Sequence, residues 1–311
     1  MSWTARSVWE QVASQTTSFL GLLFNPFYLL QVCRQLVGQM IASVRLIAAR
    51  PNSGLVWCKL QLPFDGRWKV ERGGMKKRTS HSWALLSQRY AYDFLVVDAQ
   101  GHSARGHAKA LSDYLAWGRM LHAPTSGVIV RSQDRWDDNP VGARLRLPLT
   151  CRTLLGNHVV IEQDTTGMFV LMAHLQKRSC LHRVGDRVQA GDPIARCGNS
   201  GMSTEPHVHV QVQDRADFFS AQGLPVAFGS TKVLLADGGQ RSELGALQGG
   251  DFVEATPTEA SLTPAASVLP RLSEPSAASA LVGAALGLVG VLVGVATTYY
   301  HLFRLIAHAW A

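Results

Sequence analysis

The chain has 311 residues, of which 47% are hydrophobic and 17% charged, and its 30 lysines and arginines exceed its 22 acidic residues. This length allows one large domain or two small ones with appended segments, and the formal net charge of +8 favours anionic surroundings such as phospholipid headgroups, cell-wall polymers or nucleic acid. Five scattered cysteines without CxxC spacing argue against a zinc ribbon or a dense disulfide framework.

Residues 1–50 are predicted to form two helices, over 4–24 and 26–49. Asn25 suits an N-cap and Pro26 the first helical position. In the second helix, apolar residues repeat at helical spacing while glutamines and arginines take the other face. Such an amphipathic helix either lies in a membrane interface or packs on the domain, and we favour the membrane. No small-residue cleavage site follows the first apolar run, so a secretory signal is not expected.

From Leu55 to about Phe228 the pattern predicts β-strands. Short apolar or alternating runs are separated by Gly, Asp, Asn and Pro, among them GLVWCKLQLPF, YDFLVVDA, SGVIVRSQD, NHVVIEQ, MFVLMAHL, PIARC and HVHVQVQ. Asp164–Gly167 is predicted to be a hairpin loop between two of these strands. The less regular stretch Arg135–Gly156 is predicted to be a long surface insertion.

The C-terminal part of the chain changes composition twice. Residues 255–279 are rich in Ala, Pro, Ser, Thr and Glu and are predicted to be a flexible linker. Ala280–Ala296 carries no polar side chain, and about 20 residues at ~1.5 Å each cover a ~30 Å hydrocarbon layer. We therefore predict a transmembrane helix over 280–303 with a short tail to 311, which makes membrane lipid a partner. Its glycines at four-residue spacing are typical of helix packing in lipid and indicate self-association.

The stretch Cys197–Asp214, CGNSGMSTEPHVHVQVQD, ends in strict alternation. In a strand, Val208, Val210 and Val212 would face a core, while the other face would carry His207, His209, Gln211 and Gln213. Both imidazoles would then look into one cleft. A half-buried strand that merely carries histidine on its polar face is equally compatible with this segment alone.

Three further residues of the β region could join these histidines. His174 ends a predicted strand in AHLQKRS, and His81 and Asp93 lie in SHSWALLSQRYAYDF. Histidine and carboxylate are the ligands of an open zinc site with three protein ligands and a water. Zinc lowers the pKa of that water from ~15.7 to about 7, and additional histidines can stabilise the oxyanion. HExxH, GxSxG, GxGxxG and P-loop patterns are absent.

The segments HLQKRS, GDRVQAGDPIARCGNSG and EPHVHVQVQD, with APTSGVIV and GNHVVI upstream, resemble the lysostaphin-type zinc metallopeptidases, β-rich enzymes that mostly cut bacterial peptidoglycan. The resemblance extends from about Leu62 to Phe228. It implies a mainly β fold, with an antiparallel β-sheet or half-barrel peptidase core at 51–254 between the N-terminal helices and the C-terminal transmembrane helix. It also implies that the substrate is a peptidoglycan peptide or another peptide, and that nucleic acid is not a partner. The peptidase domain would then lie outside the cytoplasm, in the bacterial cell envelope.

The same resemblance assigns roles to residues. His209 and Asp93 would be ligands of one zinc ion, and His174 and His207 would be the catalytic histidines that do not bind the metal. The family's usual first ligand lies four residues before the aspartate, where this chain has Arg89.

A guanidinium has no lone pair to offer, so Arg89 cannot serve as a ligand. His81, twelve residues upstream of Asp93, is therefore predicted to be the remaining metal ligand. Other upstream histidines are not predicted to bind metal: His102 and His107 lie in a polar segment flanked by glycines, and His122 directly precedes Ala-Pro.

The leading interpretation is a membrane-tethered zinc endopeptidase acting on cell-wall peptide. A second is a catalytically inactive domain of the same fold that binds cell wall or a partner protein. A third follows from VGDRVQAGDPIARCGNSG, which also resembles the hybrid barrels of lipoyl and phosphocarrier domains. A phosphocarrier could use His174 and His207 as paired histidines, but it would leave Asp93 and His81 without a role.

Overall fold

The computed structural model describes residues 8–48, 58–229, 231–234, 240–242 and 247–255. The predicted linker from residue 256 onward and the predicted transmembrane helix lie outside these ranges. The helices are α1 (Val8–Phe24), α2 (Pro26–Ala48) and the short α3 (Leu147–Thr150). The strands are β1 (Cys58–Leu60), β2 (Arg67–Arg72), β3 (Tyr92–Leu95), β4 (Met120–His122), β5 (Gly127–Gln133), β6 (Asn157–Gln163), β7 (Phe169–Leu175), β8 (Arg187–Val188), β9 (Pro193–Arg196), β10 (Val208–Gln213), β11 (Gly223–Leu224), β12 (Val226–Phe228), β13 (Thr231–Leu234), β14 (Gln240–Ser242) and β15 (Phe252–Ala255).

Helices α1 and α2 meet at Asn25, which caps α2. Its Oδ1 accepts hydrogen bonds from the backbone N of Phe27 at 3.1 Å and of Tyr28 at 3.2 Å, which is how an N-cap satisfies the free donors of a first turn. Its Nδ2 donates to the carbonyls of Pro148 at 3.0 Å and Cys151 at 2.8 Å. One buried side chain thus ends α1, begins α2 and ties both to the segment around α3.

Helix α2 packs against the domain with its polar face. Its buried residues are Gln35, Gly38, Gln39, Ala42 and Ser43. The apolar face is exposed, as shown by Val37 at 56% and Val44 at 60%. The sequence allowed this apolar face either to pack on the domain or to lie in a membrane interface. The structure does not show it packed on the described domain.

No single helix among the described residues is long and apolar enough to cross a bilayer. Ala13–Phe24 and Pro26–Ala48 meet the requirement only as a pair, bent by 100° at the break between them.

The described part of the chain is mainly β and antiparallel, as predicted. Eleven of its strands form one sheet in the order β14-β13-β15-β2-β3-β10-β7-β6-β5-β8, with β11 beside β10. All neighbours in this sheet are antiparallel. Two small sheets, parallel β1-β12 and antiparallel β4-β9, pack around it. The predicted hairpin loop at 164–167 joins β6 to β7.

Strand β10 lies in the middle of the sheet, between β3 and β7. Its three valines are fully buried and belong to the main core, together with Tyr92, Phe94 and Met172. The alternation therefore predicted the facing of this strand correctly. Gln211 and Gln213 on the opposite face are also buried, so the strand is covered on both sides.

The stretch 135–156 is more ordered than a surface insertion. It contains a 3-10 turn at Ala143–Leu145 and helix α3, and Leu147 is 1% exposed. This part packs against α1, where a side chain at Gly21 would collide with Pro148. Most of the stretch is exposed or half-buried, as predicted for a surface segment, but its packing on α1 could not be predicted because that helix is more than 100 residues away along the chain. All five cysteines, which lie within the described ranges, are free thiols.

Candidate metal and active site

The site begins with a cross-strand pair. His209 of β10 lies directly opposite Asp93 of β3, and its Nδ1 is 2.9 Å from Asp93 Oδ1. The valines of β10 turn into the core, so His209 must point to the opposite face of the sheet, as a strand requires. Directly opposed residues on one face are near neighbours, and the register alone therefore brings imidazole and carboxylate together.

The predicted third ligand reaches the same carboxylate from an irregular segment, Ser80–Tyr90. His81 Nε2 lies 3.1 Å from Asp93 Oδ2, and the rings of His81 and His209 are 4.9 Å apart and nearly perpendicular. Arg89, at the position of the family's usual first ligand, serves this segment instead. Its Nε donates to Trp83 O at 3.0 Å, its guanidinium lies 5.0 Å from the centre of the Trp83 ring, and its carbonyl accepts from Ser80 Oγ at 2.6 Å.

His81, Asp93 and His209 fit a metal ion by their chemistry and spacing. Each offers one ligand atom, and these atoms lie within 4.8 Å of one another. Two imidazole nitrogens and a carboxylate oxygen are a usual zinc donor set that leaves a fourth position open. In addition, His81 Nδ1 is buried without a hydrogen-bond partner among the described residues. A buried polar atom without a partner is costly, and it marks this ring as one whose surroundings are incomplete.

The charges of the cluster support the same assignment. Burial alone would raise the pKa of Asp93. This effect is outweighed by the charge of His81, the hydrogen bond with His209 and the nearby His207, which hold the pKa of Asp93 well below its usual range. Burial would lower the pKa of His209, but the hydrogen bond and charge of Asp93 and the contact with Gln211 raise it. Asp93 is thus held as a carboxylate, the form in which it can bind a cation.

The imidazole of His209 is oriented from behind by a row of buried amides. Its Nε2 lies 2.9 Å from Gln211 Oε1, Gln211 Nε2 donates to Gln213 Oε1 at 2.6 Å, and Gln213 Nε2 donates to Arg215 O at 2.7 Å. Because an amide oxygen only accepts, Nε2 of His209 carries a proton, and Nδ1, which faces Asp93, is the nitrogen that a metal ion would take. Such a partner fixes the tautomer of a ligating histidine.

The two predicted catalytic histidines face each other beside this cluster. The rings of His174 and His207 are 4.7 Å apart. His174 Nδ1 donates to Ser200 O at 2.8 Å and His207 Nδ1 to Glu205 O at 2.8 Å, since a carbonyl only accepts. Each ring therefore keeps Nε2 for the cleft. That of His207 lies 3.7 Å from Asp93 Oδ1.

His174 has an unusual backbone and a shifted pKa. Its φ is +63°, in the left-handed region that a residue other than glycine enters at a cost. This kink near the end of β7 turns the ring towards His207. Burial, together with the charges of His207 and His209, lowers the pKa of His174 well below its usual value. His174 is thus held neutral, in the form that can accept a proton.

The four predicted groups His81, Asp93, His174 and His207 share one cleft of about 300 Å³. His209 lies beneath it, 3% exposed. The remaining walls come from β2, the segment Ser80–Tyr90, β3 and the turn before β10: Glu71, Arg72, Ser82, Leu95, Met202, Thr204 and Glu205. An extended peptide could enter such a groove, which carries charges of both signs.

The other upstream histidines lie elsewhere. His102 contacts Asp98 at 3.4 Å, and His122 lies 3.8 Å from Asp65. His107 is exposed in the same loop as His102. Sequence reasoning did not single out Ser200 or Glu205, whose backbone carbonyls hold the two catalytic histidines, because a carbonyl leaves no trace in the residue type. Gln211, in contrast, could be predicted from the alternation to lie beside His209 on the same face of the strand.

The described domain is an antiparallel β domain in which two imidazoles and a carboxylate converge beside an open cleft, as in a candidate metal site. Residues 114–221 match the family described as "Peptidase family M23", and this match supports the resemblance to the lysostaphin-type metallopeptidases. The matched range includes His174, His207 and His209. It begins after His81 and Asp93, so those two assignments depend on the geometry of this chain.

Solved structures similar to this chain include three peptidases. The catalytic domain of lysostaphin from Staphylococcus simulans is 20% identical, with 51% of this chain and 88% of that chain covered and a TM-score of 0.29. LytU is 23% identical, with 51% and 83% covered and a TM-score of 0.32. A zinc-containing peptidase from Vibrio cholerae is 18% identical, with 54% of this chain covered and a TM-score of 0.32. The similar part spans 39% of the length of the Vibrio cholerae protein.

Proposed function

We propose that this protein is a zinc metalloendopeptidase that hydrolyses peptide bonds, with peptidoglycan cross-links as its substrate. The observation that carries the proposal is the convergence of His81, Asp93 and His209 within 4.8 Å directly beside the His174–His207 pair. The match of residues 114–221 to family M23 supports the same reaction class. His81, Asp93 and His209 would hold one zinc ion.

When bound, zinc supplies a Lewis acid that activates water and polarises a carbonyl. The remaining work falls to His174 and His207. With each Nδ1 proton held by a carbonyl, each Nε2 is the atom that takes or gives a proton in the cleft. His174, kept neutral by burial, is suited to accept a proton from the attacking water. His207, beside Asp93, is suited to donate to the developing oxyanion or to the leaving amine.

The two alternative interpretations fit the geometry less well. A binding domain of this fold has no need for a buried carboxylate contacted by two imidazoles, since that arrangement is costly to bury without a cation. A phosphocarrier needs an exposed histidine, whereas His174 is 7% exposed. It would also leave the His81–Asp93 contact without a purpose.

We also propose that residues 280–303 anchor the protein in the bacterial cell envelope, with the peptidase domain outside the cytoplasm. The apolar run from Ala280 to Ala296 supports the anchor. The peptidoglycan substrate would require the outward placement. The glycines at four-residue spacing in this segment would support self-association within the bilayer.

Zinc content and hydrolysis, measured on one preparation, test the proposed activity. Purified full-length protein should carry near-stoichiometric zinc, release peptide fragments from purified peptidoglycan, and lose both properties together on treatment with a strong chelator. Readdition of zinc should restore cleavage. A folded preparation that binds no zinc would overturn the proposal and favour the binding domain.

A further inference from the structure

Helix α2 presents a continuous apolar stripe on the surface of the described chain. Seven apolar residues form the stripe, each 41% to 60% exposed: Leu29, Leu30, Val37, Met40, Ile41, Val44 and Ile47. The thiol of Cys33 is exposed among them. Exposed Arg34 lies at the edge of the stripe, 3.8 Å from Asp217. From Leu29 to Ile47 the stripe follows about 27 Å of helix at ~1.5 Å per residue. An exposed apolar surface of this extent marks an interaction site.

The orientation of α2 is fixed by its opposite face. At Gly38 a Cβ would lie 1.9 Å from Phe219 O, so only glycine allows this close approach to the domain. Gln39 bonds to the backbone of Ala84 and Leu86 at 2.9 Å each, and Arg45 Nη1 donates to Ser220 O at 2.7 Å. A rotation that buried the apolar stripe would break all of these contacts, so the stripe remains outward.

Basic residues flank the stripe at the corner where α1 meets α2. Phe24 is 68% and Phe27 50% exposed there, and the guanidinium of Arg152 lies 5.5 Å from the centre of the Phe27 ring. The neighbouring segment 141–155 adds exposed Arg144, Leu145, Arg146 and Leu149. Neither this segment nor α2 contains an acidic residue. Arginines beside exposed apolar side chains are the combination that anionic lipid headgroups attract.

We infer that α2 lies in the surface of an anionic lipid bilayer, with its stripe among the acyl chains and the arginines of the corner at the headgroups. A protein partner would need polar groups to match, because protein interfaces combine an apolar centre with a hydrogen-bonding rim. The stripe instead offers a long uniform hydrocarbon surface, with arginines beside it at the corner where α1 meets α2. The contact is separate from the proposed anchor at 280–303 and from the metal site.

Cys33 allows a direct test in the full-length protein. An environment-sensitive fluorophore is attached to Cys33 in a Cys180→Ser background, since Cys180 is the other thiol that is not buried. The protein is reconstituted into vesicles of phosphatidylcholine with phosphatidylglycerol, or of phosphatidylcholine alone. In the anionic vesicles we expect a blue-shifted emission, protection from iodide and quenching by spin-labelled lipid. A label at Lys109→Cys in a background with both Cys33→Ser and Cys180→Ser should stay accessible to iodide.

Two variants sharpen this test. Val37→Glu with Val44→Glu places charges on exposed positions of the stripe and should abolish lipid quenching while the thermal unfolding midpoint stays unchanged. Arg152→Gln should weaken the preference for anionic vesicles. Iodide accessibility of Cys33 in both kinds of vesicle would overturn the inference. So would protection from iodide without quenching by lipid, which would mean that residues 280–303 or a second copy of the chain covers the stripe.

Discussion

The side-chain carbonyl of Gln39 accepts a hydrogen bond from the backbone N of Leu86 at 2.9 Å. The amide nitrogen of the same side chain donates to Ala84 O at 2.9 Å, so one buried glutamine of α2 binds two backbone groups of the segment Ser80–Tyr90. This segment brings His81 to Asp93. The polar face of α2 therefore supports the most unusual part of the candidate metal site.

We predict that Gln39→Leu lowers the zinc affinity by about tenfold. The substitution leaves the buried backbone N–H of Leu86 without a partner, at a cost of about 1–3 kcal/mol, and removes the part-buried bond to Ala84 O. A loss of ~1.4 kcal/mol in binding is tenfold in affinity. Competition with a chelator measures the affinity, and hydrogen exchange of residues 80–90 measures the loosening. Gln35→Leu, which removes only the bond to Ser87 Oγ at 3.2 Å, is the matched control. Faster exchange at unchanged zinc affinity would contradict the prediction.

The histidines of the cleft are expected to divide into two classes. His174→Ala and His207→Ala should keep zinc but lower turnover by roughly 10²-fold or more, a usual scale for acid–base and oxyanion groups. His209→Ala should lose the metal, because its Nδ1 belongs to the donor cluster. Zinc analysis and peptide cleavage on the same preparations distinguish the two classes. The assignment of roles along β10 would be wrong if His207→Ala removed zinc as thoroughly as His209→Ala.

His81 should behave as a metal ligand. We expect His81→Ala to lower zinc occupancy about as much as Asp93→Ala, because each removes one of three donors. His102→Ala and His107→Ala serve as controls and should leave zinc content unchanged, since both lie in a surface loop. An experimental structure with zinc bound by another donor, and the His81 ring several ångströms away, would disprove this single assignment.

The stability of the fold is predicted to fall on mild acidification partly through His158 of β6. Burial lowers the pKa of His158, the contact of its Nδ1 with Gly156 O opposes that shift, and Arg131 adds to it. The folded-state pKa thus lies below that of the unfolded chain, about 6.5. The resulting stabilisation is present above that pH and is lost as the pH falls through the folded-state pKa.

Thermal unfolding at about pH 7 and about pH 5.5 measures this contribution, since the range spans the reference pKa of histidine. His158→Gln should lose less stability than the wild-type protein between the two conditions. Any zinc lost on acidification would leave both proteins from the same site, so the difference between them isolates His158. An equal loss in the two proteins would contradict the prediction.

Truncation tests the predicted anchor. A chain that ends at Ser279 should be released from washed membranes if 280–303 is its only anchor. If α2 also holds the chain at the membrane, the additional Val37→Glu and Val44→Glu substitutions should release it. Carbonate extraction and sedimentation provide the measurement. Full-length protein that carbonate alone extracts would refute the transmembrane prediction for 280–303.

The parts of the site that the sequence predicted are those with local periodicity. Strict alternation along β10 sends the valines into the core and places His207 and His209 on one face, because successive side chains of a strand must point to opposite faces. The runs around β3, β6 and β7 likewise predicted strands from residue type alone. The alternation therefore made His209 a candidate, and the family resemblance added Asp93, before the distance between them was known.

Only the tertiary structure decided which of these candidates meet and what holds them. The pairing of β3 with β10 is a register, and a register depends on contacts more than 100 residues apart along the chain. Three features arise from the backbone path, which residue types do not encode. They are the kink at His174, the carbonyls of Ser200 and Glu205 that hold the catalytic histidines, and the support of the His81 segment by Gln39. The sequence established that α2 is amphipathic, but only packing determined that its polar face turns inward, because Gln39 and Gly38 match the domain surface and the apolar stripe does not.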